Sequence, residues 1–342
     1  MTTKEAVLTY LEDDTGTYVS GEELAERLSI SRAAVWKAVK ALRSEGYIID
    51  SVRNKGYSLS SENDILSAGG IKRCLEEASA AETVSLEPVI RCKRTVTSTN
   101  TILKEMAAAG EKEGLVLAAS CQTEGKGRVG RRFYSPDKTG LYLSILLRPA
   151  YYDAARAAHF TTMAAVAACE AIESITDSEA QIKWVNDVYM QGRKVAGILT
   201  EASVDLESGF LDYAVLGIGF NVYAPEKGFP EEFKDRAGYI LDQSQRDAKN
   251  RLAAAFIHRF LCFYDEERNG SPANSTEVAN ALHYVHEYRK RCFVVGRSID
   301  VLIGGRQIPA QALAVDNECR LLVRYEDGRE ELLSSGEVSI RV

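Results

Sequence analysis

Ser20-Gly21-Glu22-Glu23-Leu24-Ala25-Glu26-Arg27-Leu28-Ser29-Ile30-Ser31-Arg32-Ala33-Ala34-Val35-Trp36-Lys37-Ala38-Val39-Lys40-Ala41-Leu42-Arg43-Ser44-Glu45-Gly46 reads as two helices across a short turn. Ser20 is placed to cap the first helix, with Glu23 at the capping-box spacing. Ser29-Ile30-Ser31 is the turn. Arg32 to Ser44 carries Val35, Val39 and Leu42 on one helical face, and Gly46 ends it. Upstream, Leu8 and Leu11 mark a further helix. Downstream, Tyr47 to Val52 and Gly56 to Leu59 read as strands around Arg53-Asn54-Lys55. Three helices and a hairpin wing make a winged helix-turn-helix over residues 1–64.

Charge is unevenly spread over that segment. Residues 1–64 hold 8 Lys/Arg and 11 Asp/Glu. Between Ser31 and Tyr57, however, Arg32, Lys37, Lys40, Arg43, Arg53 and Lys55 outnumber Glu45 and Asp50. The positive charge lies on the third helix and the wing, the parts that meet phosphates. Ser31, Arg32, Ala33, Trp36 and Lys37 stand near the helix start, where base edges are read. Lys40, Arg53 and Lys55 complete the expected DNA-binding set. A helical protein-interaction module is the alternative, and the placement of charge favours DNA.

The whole chain has 342 residues, 45% hydrophobic and 27% charged, with a formal net charge of -7. That length fits two or three domains, and the balance is that of a globular protein with a sizeable core. The net charge argues against general coating of nucleic acid. No apolar run approaches the roughly 18 residues needed to span a bilayer. The start, Met1-Thr2-Thr3-Lys4-Glu5, leads into no apolar stretch, so no signal peptide and no membrane partner are expected. Seven scattered cysteines without a C-x-x-C pair fit reduced thiols in the cytoplasm. His283 and His286 lack the partners of a metal site and read as solvated.

Ser60 to Ser85, rich in Ser, Ala, Glu and Gly, reads as a linker with a helix near Ile65 to Ala80. Residues 65–85 are accordingly set apart from a larger mixed α/β body over 86–291. In that body Thr99 to Ala109, Asp153 to Ile175, Leu252 to Glu267 and Glu277 to Arg291 read as helices. Leu115 to Ser120, Leu141 to Arg148 and Tyr213 to Val222 read as strands. Gln181 to Met190 and Lys194 to Ala202 read as a hairpin around Gln191-Gly192. Residues 292–342 change to short alternating stretches, Ile299 to Ile303, Leu321 to Tyr325 and Val338 to Val342. Turns are expected at Gly304-Gly305, Asp316-Asn317 and Asp327-Gly328, the pattern of a small β-barrel. The fold class is therefore α+β in three parts.

Four clusters in the body carry chemistry. Gln122-Thr123-Glu124-Gly125-Lys126-Gly127-Arg128-Val129-Gly130-Arg131-Arg132 can bring backbone N–H groups and cations to an anion. It is neither a Walker loop nor a dinucleotide fingerprint. Lys183-Trp184-Val185-Asn186-Asp187 and Lys194-Val195-Ala196-Gly197 place charges on strands of an apolar hairpin, costly unless paired or liganded. Gly217-Ile218-Gly219-Phe220-Asn221 lets a ligand or backbone approach a strand closely. Thr97-Ser98-Thr99-Asn100 opens a helix. Each has a plain structural alternative: a basic surface loop, an edge hairpin, an N-cap.

Together the clusters resemble the biotin protein ligases, and with the N-terminal reader the bifunctional type that is also the biotin operon repressor. The resemblance covers essentially the whole chain, including Ser335-Gly336-Glu337-Val338-Ser339-Ile340-Arg341. It implies a ligase domain of the biotin/lipoate ligase type and an SH3-like C-terminal barrel. It implies biotin as substrate, ATP and Mg2+, and transfer to a lysine of a biotin carboxyl carrier protein, such as that of acetyl-CoA carboxylase. Operator DNA and a ligand-bound homodimer are implied as further partners, with biotinyl-AMP as corepressor. By match of position, Ser98, Thr99, Asn100, Gln122, Lys126, Gly127, Arg128, Lys194 and Gly197 are implied to bind biotin. Arg128, Arg131, Lys183 and Asn221 are implied to bind ATP or the adenylate. Arg128, Lys183 and Lys194 are the implied catalytic residues, and Asp187 and Asn221 the candidate Mg2+ ligands. The chain departs from the family pattern at Lys126 (commonly Arg), Val129 and Phe133 (Arg and Trp in some members) and Val185 (Pro). Rival readings are a lipoate-type ligase and a biotin-sensing transcription factor without ligase activity.

Overall fold

A computed structural model of the chain describes residues 2–340 apart from 14, 61–62, 81, 150–151, 154–155, 270–281 and 304–305. Helices α1 (Thr3–Asp13), α2 (Gly21–Arg27) and α3 (Arg32–Ser44) precede the wing strands β1 (Ile49–Val52) and β2 (Gly56–Leu59), which pair antiparallel. Ser20 Oγ accepts the Glu23 amide at 3.0 Å and Ser31 Oγ that of Ala34 at 3.1 Å, so both helices of the motif start on side-chain caps. Val7, Leu11, Leu24, Val35, Val39 and Leu42 form a core of their own under the wing.

α4 (Ala68–Ser79) follows, then β3 (Val89–Val96), α5 (Thr99–Ala108), β4 (Leu115–Gln122), β5 (Gly140–Leu147) and α6 (Ala157–Glu173). β6 (Ala180–Lys183), β7 (Asp187–Met190), β8 (Arg193–Val204), β9 (Leu211–Asn221), α7 (Ala248–Asn269) and α8 (His283–Arg291) complete the body. Its seven-stranded sheet runs β3-β4-β5-β9-β8-β7-β6, parallel only between β3 and β4. α6 is buried on nearly every side and packs against α7, which in turn packs against α4, in the main core. α5 lies on the opposite face, over Leu115, Leu117, Leu146 and Val215.

Two readings of the sequence change. The expected first strand of the 181–202 hairpin is two strands, because Trp184, Val185 and Asn186 turn away between β6 and β7. The Trp184 indole donates to Cys319 O at 3.0 Å and the Tyr288 hydroxyl donates to Val185 O at 3.0 Å. The segment expected as a linker is packed: Ile71, Cys74 and Leu75 of α4 belong to the main core. The helix expected over Glu277–Arg291 is described from His283 onward. Residues 277–281, the Gly304-Gly305 turn, Arg341 and Val342 lie outside the described residues.

The C-terminal strands β10 (Ser298–Ile303), β11 (Arg306–Val315), β12 (Leu321–Tyr325), β13 (Glu330–Leu333) and β14 (Glu337–Ile340) form an antiparallel sheet in the order β13-β12-β11-β10-β14. Its apolar face, with Ile299, Val301, Val323 and Val338, joins the main core. Among the described residues no helix is long and apolar enough to cross a membrane.

A polar joint ties the winged helix to the body. Asn63 brackets the Ile48 backbone, accepting its N–H at 2.8 Å and donating to its carbonyl at 2.9 Å. The Asp64 carboxylate accepts from the Tyr223 hydroxyl and from the Lys249 amide at 2.8 Å, and pairs with the Lys249 ammonium at 3.4 Å. Ser67 Oγ donates to the Glu12 carboxylate at 2.6 Å, and Arg73 pairs with Asp247. Glu12 is buried, and burial raises its pKa above the ordinary range despite the Ser67 hydrogen bond and the nearby Arg73. The folded state thus binds the Glu12 proton more tightly than the unfolded chain does. Its contribution to stability is full below the ordinary carboxylate pKa and is lost as pH rises through the raised value. Glu12→Gln should therefore gain in thermal unfolding midpoint relative to the parent as pH is raised from about 4.5 towards 7. A difference that stays constant across that range would contradict this.

Candidate active site and nucleic-acid face

Alternation along β9 sends Leu216, Ile218 and Phe220 into the main core and Val215, Gly217, Gly219 and Asn221 to the α5 face. Register extends this bare patch sideways. Gly217 lies between Ser144 of β5 and Leu199 of β8, and Gly219 between Tyr142 and Gly197. Other side chains fill the space. A Cβ on Gly217 would meet Asn100 Oδ1 at 2.0 Å. A Cβ on Gly219 would meet the Phe133 ring at 2.5 Å, and one on Gly197 would meet it at 3.0 Å. The glycines are thus what allows the start of α5 and the end of the glycine loop to lie on the sheet.

At the α5 side, Ser98, Thr99 and Asn100 are all buried. Ser98 Oγ caps α5 by accepting the Thr101 amide at 3.5 Å. Gln122 Oε1 accepts the Thr99 amide at 2.9 Å, and Gln122 Nε2 donates to Ser135 Oγ at 3.1 Å. Asn100 Nδ2 donates to Leu199 O at 3.1 Å and to the Glu201 carboxylate at 3.0 Å. Ser98, Thr99, Asn100 and Gln122 thus form one hydrogen-bonded polar cluster at the start of α5.

The stretch from Gly125 to Phe133 is a bonded strap. The Phe133 amide donates to Gly125 O at 2.9 Å and the Gly127 amide to Arg131 O at 2.8 Å. Its tip, Arg128–Gly130, is a single 3-10 turn with Val129 at φ 53° and Gly130 at φ 71°, and Val129 is 89% exposed. Arg128 reaches inward, donating to Asn186 Oδ1 at 3.2 Å and Gly336 O at 3.0 Å. Arg131 instead pairs with Glu337 of the C-terminal sheet and is largely exposed. Lys126 is exposed on the strap.

Lys194 is ion-paired with Asp187. Lys183 is half-buried. Burial lowers its pKa, neighbouring Asp187 opposes that, and Lys194 adds to it. No carboxylate lies within ion-pair distance of Lys183 among the described residues. Asn186, which the sequence reading left without a role, clips this turn to β8: its Nδ2 donates to Ile198 O at 2.8 Å. Asn221 Nδ2 donates to Gly238 O at 3.0 Å. The segment after β9 returns beside Lys194, whose amide donates to Arg236 O at 2.8 Å and whose carbonyl accepts from Gly238 at 2.8 Å. Site and strap thus form a neutral polar wall at one end of a glycine floor and a cationic group at the other.

Three family models match the chain. One is described as "Biotin/lipoate A/B protein ligase family", over residues 92–221. The others are an HTH domain over 3–58 and a biotin protein ligase C-terminal domain over 294–341. The bifunctional ligase/repressor BirA of Bacillus subtilis (strain 168) is 30% identical over 318 residues, 93% of this chain and 93% of that protein. The chain belongs to the bifunctional biotin ligase/repressor family. BirA of Escherichia coli (strain K12) is likewise 30% identical, over 95% of this chain and 94% of its own length. The solved biotin protein ligase from Aquifex aeolicus in complex with biotin and ATP is 26% identical, with a TM-score of 0.57. It covers 74% of this chain and 98% of that one. Membership accounts for the order of parts: reader, ligase body, C-terminal sheet.

On the reader, Ser31, Arg32, Ala33, Trp36, Lys37 and Lys40 are all exposed along one side of α3, and Arg53 and Lys55 are exposed on the wing. Between them lies an open groove of about 810 Å³ lined by Arg32, Trp36, Lys40 and Arg53. The Lys40 ammonium sits 5.2 Å from the Trp36 ring centroid. Arg43, counted with the basic residues, donates to Ile49 O and so fastens the helix to the wing.

Proposed function

We propose that the chain activates biotin with ATP and transfers it to a lysine of a biotin carboxyl carrier protein. Its winged helix then represses transcription when the adenylate is bound. The observation that carries the catalytic reading is one sheet face on which Gly217 seats Asn100 beside Thr99 and Gln122, and Gly197 meets the Lys194 side chain, with Lys183 paired in register to Asp187 and Arg128 held by Asn186. A neutral urea ring suits a wall of amide and hydroxyl groups, and a carboxylate suits the lysine end. The biotin carboxylate oxygen attacks the α-phosphorus of ATP, the bond to the β-phosphate oxygen breaks, and pyrophosphate leaves. A lysine amine of the carrier then attacks the acyl carbon and AMP departs, with loss of the amine proton.

Two anions must meet in the first step, so fixed cations are needed where charge gathers. Lys194 takes the biotin carboxylate and Lys183 the phosphates. Arg128, aimed inward by Asn186, closes the strap, and Gly127 lets strap and adenylate approach. Lys126 and Arg131 lie further out, Arg131 tied to Glu337, and act by closing the strap over the ligand. Mg2+ fits as a partner of the nucleotide: hard oxygen donors are available at Asp187, whose other carboxylate oxygen holds Lys194, and at Asn221. When bound, it supplies charge neutralisation at the phosphates. No thiol is needed as nucleophile: burial pushes Cys92, Cys292 and Cys319 up to about 12.

In the regulatory role, Arg32, Trp36 and Lys37 read bases in the major groove while Lys40, Arg53 and Lys55 hold phosphates. A liganded homodimer would place two such faces on a palindromic operator.

Biotin-dependent ATP–pyrophosphate exchange tests the catalytic reading. The parent should exchange, and Lys194→Ala should lose about a hundredfold or more. Near-parental exchange by Lys194→Ala would refute its role, and no exchange by the parent would refute the reading. For DNA, duplexes selected from a random pool serve as probe. Lys40→Ala should weaken binding and lower the slope of log affinity against log salt by about one. An unchanged slope, or equal affinity with and without biotin and ATP, would remove the corresponding claim.

A further inference from the structure

Trp36 is 54% exposed on α3, while its neighbour Val35 is fully buried. Exposure alone would mean little, since single apolar side chains are common on protein surfaces. The position of the ring gives it meaning. Trp36 stands in the groove between α3 and the wing. Among the described residues that groove is lined by four cations, Arg32, Lys40, Arg43 and Arg53, and by one carboxylate, Glu22. Such a balance suits an anionic partner and disfavours an apolar protein face.

Spacing along α3 sorts the residues further. Arg32, Trp36, Lys40 and Arg43 follow one another at helical intervals and form the ridge that faces the wing. Ala33 and Lys37 are also exposed, but they stand on the neighbouring ridge, outside the groove. Arg43 Nε donates to Ile49 O at 2.9 Å and fixes the distance from helix to wing. With α3 in the major groove, Ala33 and Lys37 meet base edges, and one DNA strand passes beside Lys40 and Arg53. Trp36 then lies where the base edges give way to the backbone.

The thymine 5-methyl group occupies that place. It lies at the end of the base-pair edge nearest its own strand, and it is the apolar group that the major groove presents. Indole offers a broad apolar surface, a single donor and no acceptor. The Lys40 ammonium, 5.2 Å from the ring centroid, lies over one face, which leaves the other face and the rim for a base.

We infer that Trp36 is a specificity-determining residue of the reader, recognising the 5-methyl group of a thymine by apolar contact. The inference rests on the DNA-reading role above and adds the identity of a base to it. Discrimination at this position is by a methyl group rather than by a hydrogen bond.

The probe is a duplex selected from a random pool by the full-length protein with biotin and ATP present. Each thymine is replaced in turn by uracil, which removes the methyl group and keeps the pairing. At one thymine, or one in each half of a palindrome, uracil should weaken binding by the parent about fourfold. Trp36→Ala should bind the thymine duplex about fourfold or more weakly than the parent does, and should bind the uracil duplex as it binds the thymine one. Its affinity for an unselected duplex and its salt slope should match the parent's, which also shows that the reader is folded. A parent that loses less than about twofold at every uracil position overturns the inference alone. So does a uracil effect that persists in Trp36→Ala, or an equal loss by that variant on selected and unselected duplexes. A parent with which no sequence can be selected overturns the DNA reading and this inference with it.

Discussion

Gly197, Gly217 and Gly219 leave one face of a seven-stranded sheet without side chains for the width of two strands, and Asn100 and Phe133 lie in the space so made. Everything in the site is referred to that bare surface. Asn100 can reach Leu199, Glu201 and Ser144 at once only because no Cβ rises from Gly217. Phe133 anchors the end of the strap against Gly219, and its partner Tyr142 meets it edge-on at 6.3 Å. Close packing makes such an arrangement intolerant: an added methyl at these positions has no free volume to enter.

The same strand end connects the site to the DNA-reading face. Asn221 closes β9 and holds Gly238. Two residues on, the Tyr223 hydroxyl reaches Asp64, whose neighbour Asn63 brackets Ile48 before the wing. The C-terminal sheet supplies a second link, receiving Arg128 at Gly336 O and Arg131 at Glu337. Short polar contacts therefore join the body both to the winged helix and to the C-terminal sheet.

Much of this was legible in the sequence because local rules and tertiary structure agree. The caps at Ser20 and Ser31, the periodic face of α3 and the turn glycines each state their own structure, and the glycine loop declares itself by excluding core and helix alike. The charged face of α3 was likewise readable, apart from Arg43, which bonds within the domain. What was not legible depends on distant partners. Ile182 to Tyr189 alternates like one strand, and only Cys319 and Tyr288 draw Trp184 and Val185 out of it. α4, rich in Ser, Ala, Glu and Gly, reads as a linker helix, and its apolar face is buried by packing against α7. The family match that implies biotin contacts for Ser98 and Asn100 gave no sign of the bonds that Ser98 makes as a cap and Asn100 makes to Leu199 and Glu201. Glu201 gave no signal, since strand register alone sets it beside Asn100.

A crystal structure of the protein with biotin and ATP tests the central claim most directly. A ureido ring is expected at Thr99 and Gln122, with the activated carboxyl group beside Lys194. Ligand bound away from Thr99, Gln122 and Lys194, or Lys183 and Lys194 turned into solvent with the ligand in place, would contradict this.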